Sequence, residues 1–151
     1  MEMVLYLINA LIFTIISGFH FYWAMGGKVG FDVVLPSNTE GVKSLNPSKL
    51  ITIIATCVFL SIAIFYLIKA NLINVQLPNL IDLFGLFPIA IVLIIRAIGD
   101  FKYVGFFKTI KNTPFAIYDT RYYSPLCLFL GLNTLTLQFL SMLNTIIVFV
   151  H

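Results

Sequence analysis

Long runs of apolar positions without charge, set off by polar punctuation, are the dominant pattern in this chain. A spanning helix needs about 20 mostly apolar residues at 1.5 Å rise each, and the pattern predicts four of them, at about 3–25, 47–69, 80–98 and 125–150. Met3 to Met25 holds no Lys, Arg, Asp or Glu and ends at Gly26-Gly27, a pair suited to the left-handed turn that closes a helix. The second run opens at Asn46-Pro47, read as an N-cap followed by proline at the first helical position. The third is the least clear. Its charge-free centre is only Leu83 to Ile95, and Pro88 removes a backbone hydrogen bond, although Asn79 with Asp82 reads as a cap and first-turn acid. In the fourth, Ser124 is expected to cap and Pro125 to open the helix.

Composition turns this pattern into a membrane assignment. Hydrophobic residues make up 60% of the 151 positions and charged residues only 10%, against roughly a quarter charged in soluble domains. Too few charges exist to coat a soluble surface, so the apolar excess must face lipid. The fold expected is all-α, one transmembrane four-helix bundle over residues 1–151. The first run is not read as a cleaved signal, because it carries Glu2 before the apolar stretch, is longer than a signal core and lacks an Ala-x-Ala site.

Charge sets the expected orientation. Lys28, Lys43, Lys49, Arg96, Lys102, Lys108, Lys111 and Arg121 fall with the first and third connections, and Lys69 alone falls opposite. The positive-inside rule then places those connections in the cytoplasm and both termini outside, in a multi-pass protein of the cell membrane. Basic groups hugging the membrane ends of the spans suit anionic headgroups rather than nucleic acid. Membrane lipids are the expected partners, with an amphiphilic ligand or a membrane protein as a further one.

The third connection, Gly99 to Ser124, interleaves its charges with Phe101, Tyr103, Phe106, Phe107, Phe115, Tyr118, Tyr122 and Tyr123. Rings rest at headgroup depth while Lys and Arg reach phosphates, so the segment reads as an interfacial collar, and the same chemistry could form a lid over a polar site. Arg96 and Asp100 are four residues apart and would stack on one helical face as a pair; the plain alternative is that Arg96 snorkels to the interface. Asp119 and Arg121 lie just before the fourth span, and His20 lies about one and a half turns inside the same end of the first. An intramembrane histidine needs a partner, for which Asp100 is the natural candidate, with Asn9 and Ser17 on the same face. The candidate ligand-binding residues are therefore His20, Trp23, Arg96, Asp100, Asp119 and Arg121.

No metal site or cofactor is expected. His151 stands at the opposite end from His20, and Cys57 and Cys127 differ by roughly 12 Å in depth, which excludes a disulfide and leaves packing thiols as the default. Gly131, Thr134, Gln138, Ser141 and Thr145 recur at spacings of three and four along the last span. Such a stripe of small and polar groups reads first as packing between helices, ahead of a conduction path, while Thr52 and Thr56 form a shorter pair on the second span. Gly26, Gly27 and Gly30 lack the context of a phosphate-binding loop, and no nucleophile elbow or His-Glu-x-x-His pair occurs.

In the runs His20-Phe21-Tyr22-Trp23-Ala24-Met25-Gly26-Gly27, Arg96-Ala97-Ile98-Gly99-Asp100-Phe101 and Tyr118-Asp119-Thr120-Arg121-Tyr122-Tyr123-Ser124-Pro125 the chain resembles a family of small bacterial membrane proteins catalogued as domain of unknown function 3995. The resemblance spans nearly the whole chain and implies a four-helix membrane fold without an activity to transfer. Two functions stay open on the residues. One is a non-catalytic component that binds a lipid, an amphiphile or a membrane partner at its cytoplasmic leaflet. The other is a small membrane enzyme acting on an anionic amphiphile, with His20 and Asp100 or Asp119 as acid and base and Arg96 or Arg121 holding the headgroup. The first is favoured, because no nucleophile, metal set or cofactor motif supports a reaction.

Overall fold

A computed structural model of the chain describes residues 2–37 and 47–150, the side chains of 146–150 excepted. Backbone groups in hydrocarbon must be satisfied internally, and here helices do so; no strand lies among the described residues. The first span is α1 (Glu2–Ala24), followed by the short α2 (Phe31–Val34), and the second is α3 (Lys49–Lys69). The third is an interrupted helix, α4 (Asn79–Phe84) and α5 (Leu86–Ile98). The fourth runs from α6 (Pro114–Tyr118) through a π-helical turn at Asp119–Tyr123 into α7 (Ser124–Val150). Four helical stretches are long and apolar enough to cross a membrane, so this is a multi-pass membrane protein. The aromatic, basic segment between the third and fourth spans folds against their common end.

Three of the expected caps move. Asn46 lies outside the described residues, and α3 starts after Ser48, whose hydroxyl accepts the Ile51 N–H at 3.3 Å, so Pro47 precedes the helix instead of opening it. Asn79 is the first helical residue rather than the cap, which is Pro78 with no side-chain bond, although Asp82 does fall in the first turn. Ser124 does not cap at all. The helix begins at Thr113-Pro114, where Thr113 accepts the Ala116 N–H at 3.1 Å. Pro125 is thus interior, and the π-turn before it, closed by the Ser124 N–H on the Asp119 carbonyl, supplies the changed register that a helical proline needs.

Helix α1 packs along α3 and α5 along α7, and the two pairs meet where α1 and α4 touch α7. Phe13 stacks on Tyr66 at 5.7 Å between ring centres, over Leu86, Leu130 and Leu137, while Leu11, Ile15, Ile54, Val92 and Ile95 face outward. Lipid tails are as apolar as these side chains, so burial alone does not hold helices together; close approach and hydrogen bonds must. Gly131 provides the approach: a Cβ there would lie 2.8 Å from Ile94. Thr134 shares a hydrogen bond with the Tyr66 hydroxyl and accepts from Asn9, whose own oxygen accepts from Asn133 at 2.9 Å. The remaining stripe residue that matters is Gln138. Pro88 cannot donate and crowds the carbonyl one turn back, so the third span breaks at Gly85. Gln138 mends the break from α7, donating to the Leu83 carbonyl at 2.6 Å and accepting from the Leu86 N–H at 3.2 Å.

Candidate functional site

Of the residues that the sequence places at one end of the bundle, Arg96 and Asp119 meet, and Lys108 joins them. Asp119 is fully buried at the start of the π-turn. One carboxylate oxygen accepts from Arg96 Nη2 at 2.7 Å. The other accepts from the Gly105 N–H at 2.9 Å, Lys108 Nζ at 2.9 Å and Ser124 Oγ at 3.1 Å. The π-turn explains the last bond, because its wider register brings residues five apart onto one face. Lys108, 2% exposed, spends its other two donors on the Gly105 carbonyl at 2.8 Å and Thr120 Oγ1 at 2.6 Å. Arg96 keeps about a third of its side chain exposed, with Nη1 buried and without a hydrogen-bond partner among the described residues.

The loop after α5 is folded back onto that helix. Phe106 and Phe107 donate their N–H groups to the Ala97 and Ile98 carbonyls at 2.9 and 3.3 Å, satisfying the end of α5 that would otherwise need water. Gly99 and Gly105, at φ +101° and +87°, face each other so closely that a Cβ on either would run into the other's backbone. Asp100 shapes the turn between them, its Oδ1 accepting the N–H groups of Lys102, Tyr103 and Val104 at 2.9, 2.7 and 2.8 Å. Partial burial pushes this carboxyl up, and the three backbone donors outweigh it, holding it below the ordinary aspartate value.

The expected Arg96–Asp100 pair is therefore replaced by Arg96–Asp119. The expected partnership of His20 with an acid is not formed either. Among the described residues, His20 bonds through Nδ1 to the Ile16 carbonyl at 2.9 Å, and its ring packs against Phe59 and Trp23 at 4.8 and 5.3 Å. Asn9 and Ser17 turn elsewhere, Ser17 donating to the Thr56 carbonyl at 2.9 Å. Trp23 closes the turn after α1 by donating Nε1 to the Val29 carbonyl at 2.9 Å. Arg121 is exposed and lies 5.5 Å over the Tyr122 ring. Cys57 is exposed on its helix and so is not the packing thiol expected, whereas Cys127 is partly buried; both are free. Among the described residues no group of three or more His, Cys, Asp or Glu is placed to hold a metal ion.

Lys108 is the site residue that sequence reading missed, having been counted only as one more loop cation. Its one signal is indirect: a buried aspartate flanked by a single arginine leaves lone pairs that another donor must meet. Among the described residues Asp119 accepts four hydrogen bonds, and no histidine bonds to it.

The model of a family described as a protein of unknown function, DUF3995, matches residues 13–134, from within α1 to the middle of α7. That stretch covers well over half of the chain, which belongs to this family. No curated protein and no solved structure matches it.

Proposed function

We propose that the protein is a non-catalytic membrane component whose basic, aromatic end engages anionic lipid headgroups at the cytoplasmic leaflet. The observation that carries this reading is the division of labour among the cations. Arg96 and Lys108 are consumed by Asp119, whereas Lys102, Lys111 and Arg121 are exposed and pair with no carboxylate among the described residues. Around them Phe101, Phe106, Phe107, Tyr118 and Tyr122 are exposed as well. Rings that rest at headgroup depth and free cations beside them match the chemistry of an anionic leaflet. The excess of basic residues at this end supports a cytoplasmic position for it and an outside position for both termini.

Wild-type protein and a Lys102→Gln/Lys111→Gln/Arg121→Gln variant, each extracted from vesicles of phosphatidylcholine with a minor share of phosphatidylglycerol, would be compared by mass spectrometry of the retained lipid. Wild type should retain phosphatidylglycerol severalfold above the mixing ratio, and the variant should fall back to that ratio while staying monodisperse. Equal retention by the two proteins would remove the proposal. The enzyme alternative has less support, since His20 bonds to the Ile16 carbonyl instead of to an acid and Asp119 is held by Arg96 and Lys108.

A further inference from the structure

The loop after α5 carries two phenyl rings where the third span runs short of apolar length. Between the charges of Asp82 and Arg96 that span offers only Leu83 to Ile95, about 20 Å of helix at 1.5 Å per residue, against a hydrocarbon core of about 30 Å. Such a shortfall is met by a thinner bilayer or by apolar groups next to the helix end. Ile91, Ile95 and Ile98 lie on one helical face and are 51%, 59% and 40% exposed, so this face is the one turned to lipid. The Phe107 N–H, bonded to the Ile98 carbonyl, brings the loop back to the last turn of that face. Phe101 and Phe107 stand 62% and 64% exposed, with ring centres 6.5 Å apart.

The backbone holds this arrangement against a local preference. Phe101 has φ +61°, in the left-handed region that a bulky residue rarely adopts and that glycine would take freely. Bonds on both sides enforce it: Asp100 Oδ1 accepts from the Lys102, Tyr103 and Val104 N–H groups, and the Phe101 and Lys102 carbonyls accept from Thr109 and Ile110 at 3.2 and 3.1 Å. A strained turn fixed so firmly, with a large apolar ring left outside the protein, has a physical reason once that ring has an apolar partner. We propose that Phe101 and Phe107 insert together below the headgroups, into the acyl chains of the leaflet, and so complete the apolar length of the third span. Phenyl rings carry no hydroxyl to hold them at the headgroups, unlike the tyrosines of the same segment, and the exposed Lys102 beside them is long enough to keep its ammonium among the phosphates. This insertion presupposes that the end in question meets a leaflet, as proposed above, but it does not depend on that leaflet's charge.

The test uses the full chain in pure phosphatidylcholine nanodiscs, with Cys57→Ser and Cys127→Ser and a nitroxide label on Phe101→Cys, Phe107→Cys or, as the hydrocarbon reference, Ile95→Cys. Power-saturation spin resonance compares collisions of the label with oxygen, which concentrates in hydrocarbon, and with a nickel chelate, which stays in water. Oxygen collisions should exceed nickel collisions severalfold at both loop sites, as at the reference, whereas the same label free in buffer gives the reverse. Nickel collisions equal to or above those of oxygen at either loop site overturn the proposal. With the label on Phe107→Cys, Phe101→Asp should lower the oxygen-to-nickel ratio severalfold, because a carboxylate does not follow the ring into hydrocarbon, and Phe101→Leu should preserve it; a ratio unmoved by Phe101→Asp overturns joint insertion. Neutral lipid keeps this outcome apart from the choice of headgroup. Shallow labels with phosphatidylglycerol retention intact remove the insertion alone, and deep labels without that retention uphold the insertion and remove the headgroup reading.

Discussion

Replacing Asp119 by asparagine should damage this protein more than any other single change at its charged end. The carboxylate is fully buried and accepts four hydrogen bonds, two of them from cations. Asparagine keeps the size, removes the charge and turns one acceptor into a donor aimed at other donors. Lys108, 2% exposed, is left as an unbalanced cation inside the protein, whereas Arg96 can still reach the interface with its exposed third. Breaking a buried pair from one side costs about 3–5 kcal/mol, and the Lys108 side accounts for most of that here. Lys108→Met should be milder, about 1–2 kcal/mol, because it leaves a neutral Arg96–Asp119 pair and forfeits hydrogen bonds that the loop can partly replace. The double variant should recover part of the Asp119→Asn loss. Equilibrium unfolding in dodecyl sulfate mixed micelles, followed by fluorescence of Trp23, the chain's one tryptophan, measures all three. Equal losses for the two single variants, or a strictly additive double variant, would refute the claim that Asp119 balances Lys108.

Asp100 gives a pH signature. Its folded value lies below the ordinary carboxyl value, so the stabilisation it lends the loop is complete above that value and is lost as pH falls through the folded one; the amide resonances of Lys102, Tyr103 and Val104 should move together only there, and Asp100→Asn should abolish the step. Gln138→Leu should cost about 1–3 kcal/mol in the same unfolding assay, since it orphans the Leu83 carbonyl and the Leu86 N–H, and a cost below that of Thr136→Leu on the exposed face would contradict the repair. In intact cells, with Cys57 and Cys127 replaced, Val75→Cys should react with an impermeant thiol reagent and Asn112→Cys should not; the reverse pattern would invert the proposed orientation.

The spans were legible because lipid makes a simple demand, namely length without charge, and all four segments meet it, although the fourth begins eleven residues before its expected start, at Pro114. Their ends were less so, and the reason is specific. Ser-Pro is a good helix opener only where the helix has not already begun, and a π-turn lets Ser124-Pro125 sit inside one that started at Thr113-Pro114, while on the second span the cap is Ser48, just after Pro47. The polar stripe on the last span was legible as packing, since its spacing keeps one face, but nothing local said that Gln138 would serve a break made by Pro88 on another helix. The charged cluster was legible only as a location. Helical spacing favours Arg96 with Asp100, yet the chain turns at Gly99 before a further helical turn forms, and Asp100 is drawn to the backbone of its own loop. Arg96 is thereby free for an acid far along the chain.

Lys69 shows how the charge bias and the fold belong to one argument. As the single basic residue on the sparse side it looks like an exception to the orientation rule, but its charge is spent on the Asp82 carboxylate and its other donors on the Asp82 carbonyl and Ser141. The sparse side therefore presents no free Lys or Arg among the described residues. At the other end Asp119 neutralises only part of the basic excess and does so internally, which fixes the loop while leaving Lys102, Lys111 and Arg121 exposed. A buried latch and exposed cations are thus complementary: with the loop pinned at Gly105 and Lys108, the rings and cations around it need not be ordered anew for the headgroup contact proposed above, and less conformational entropy opposes that contact.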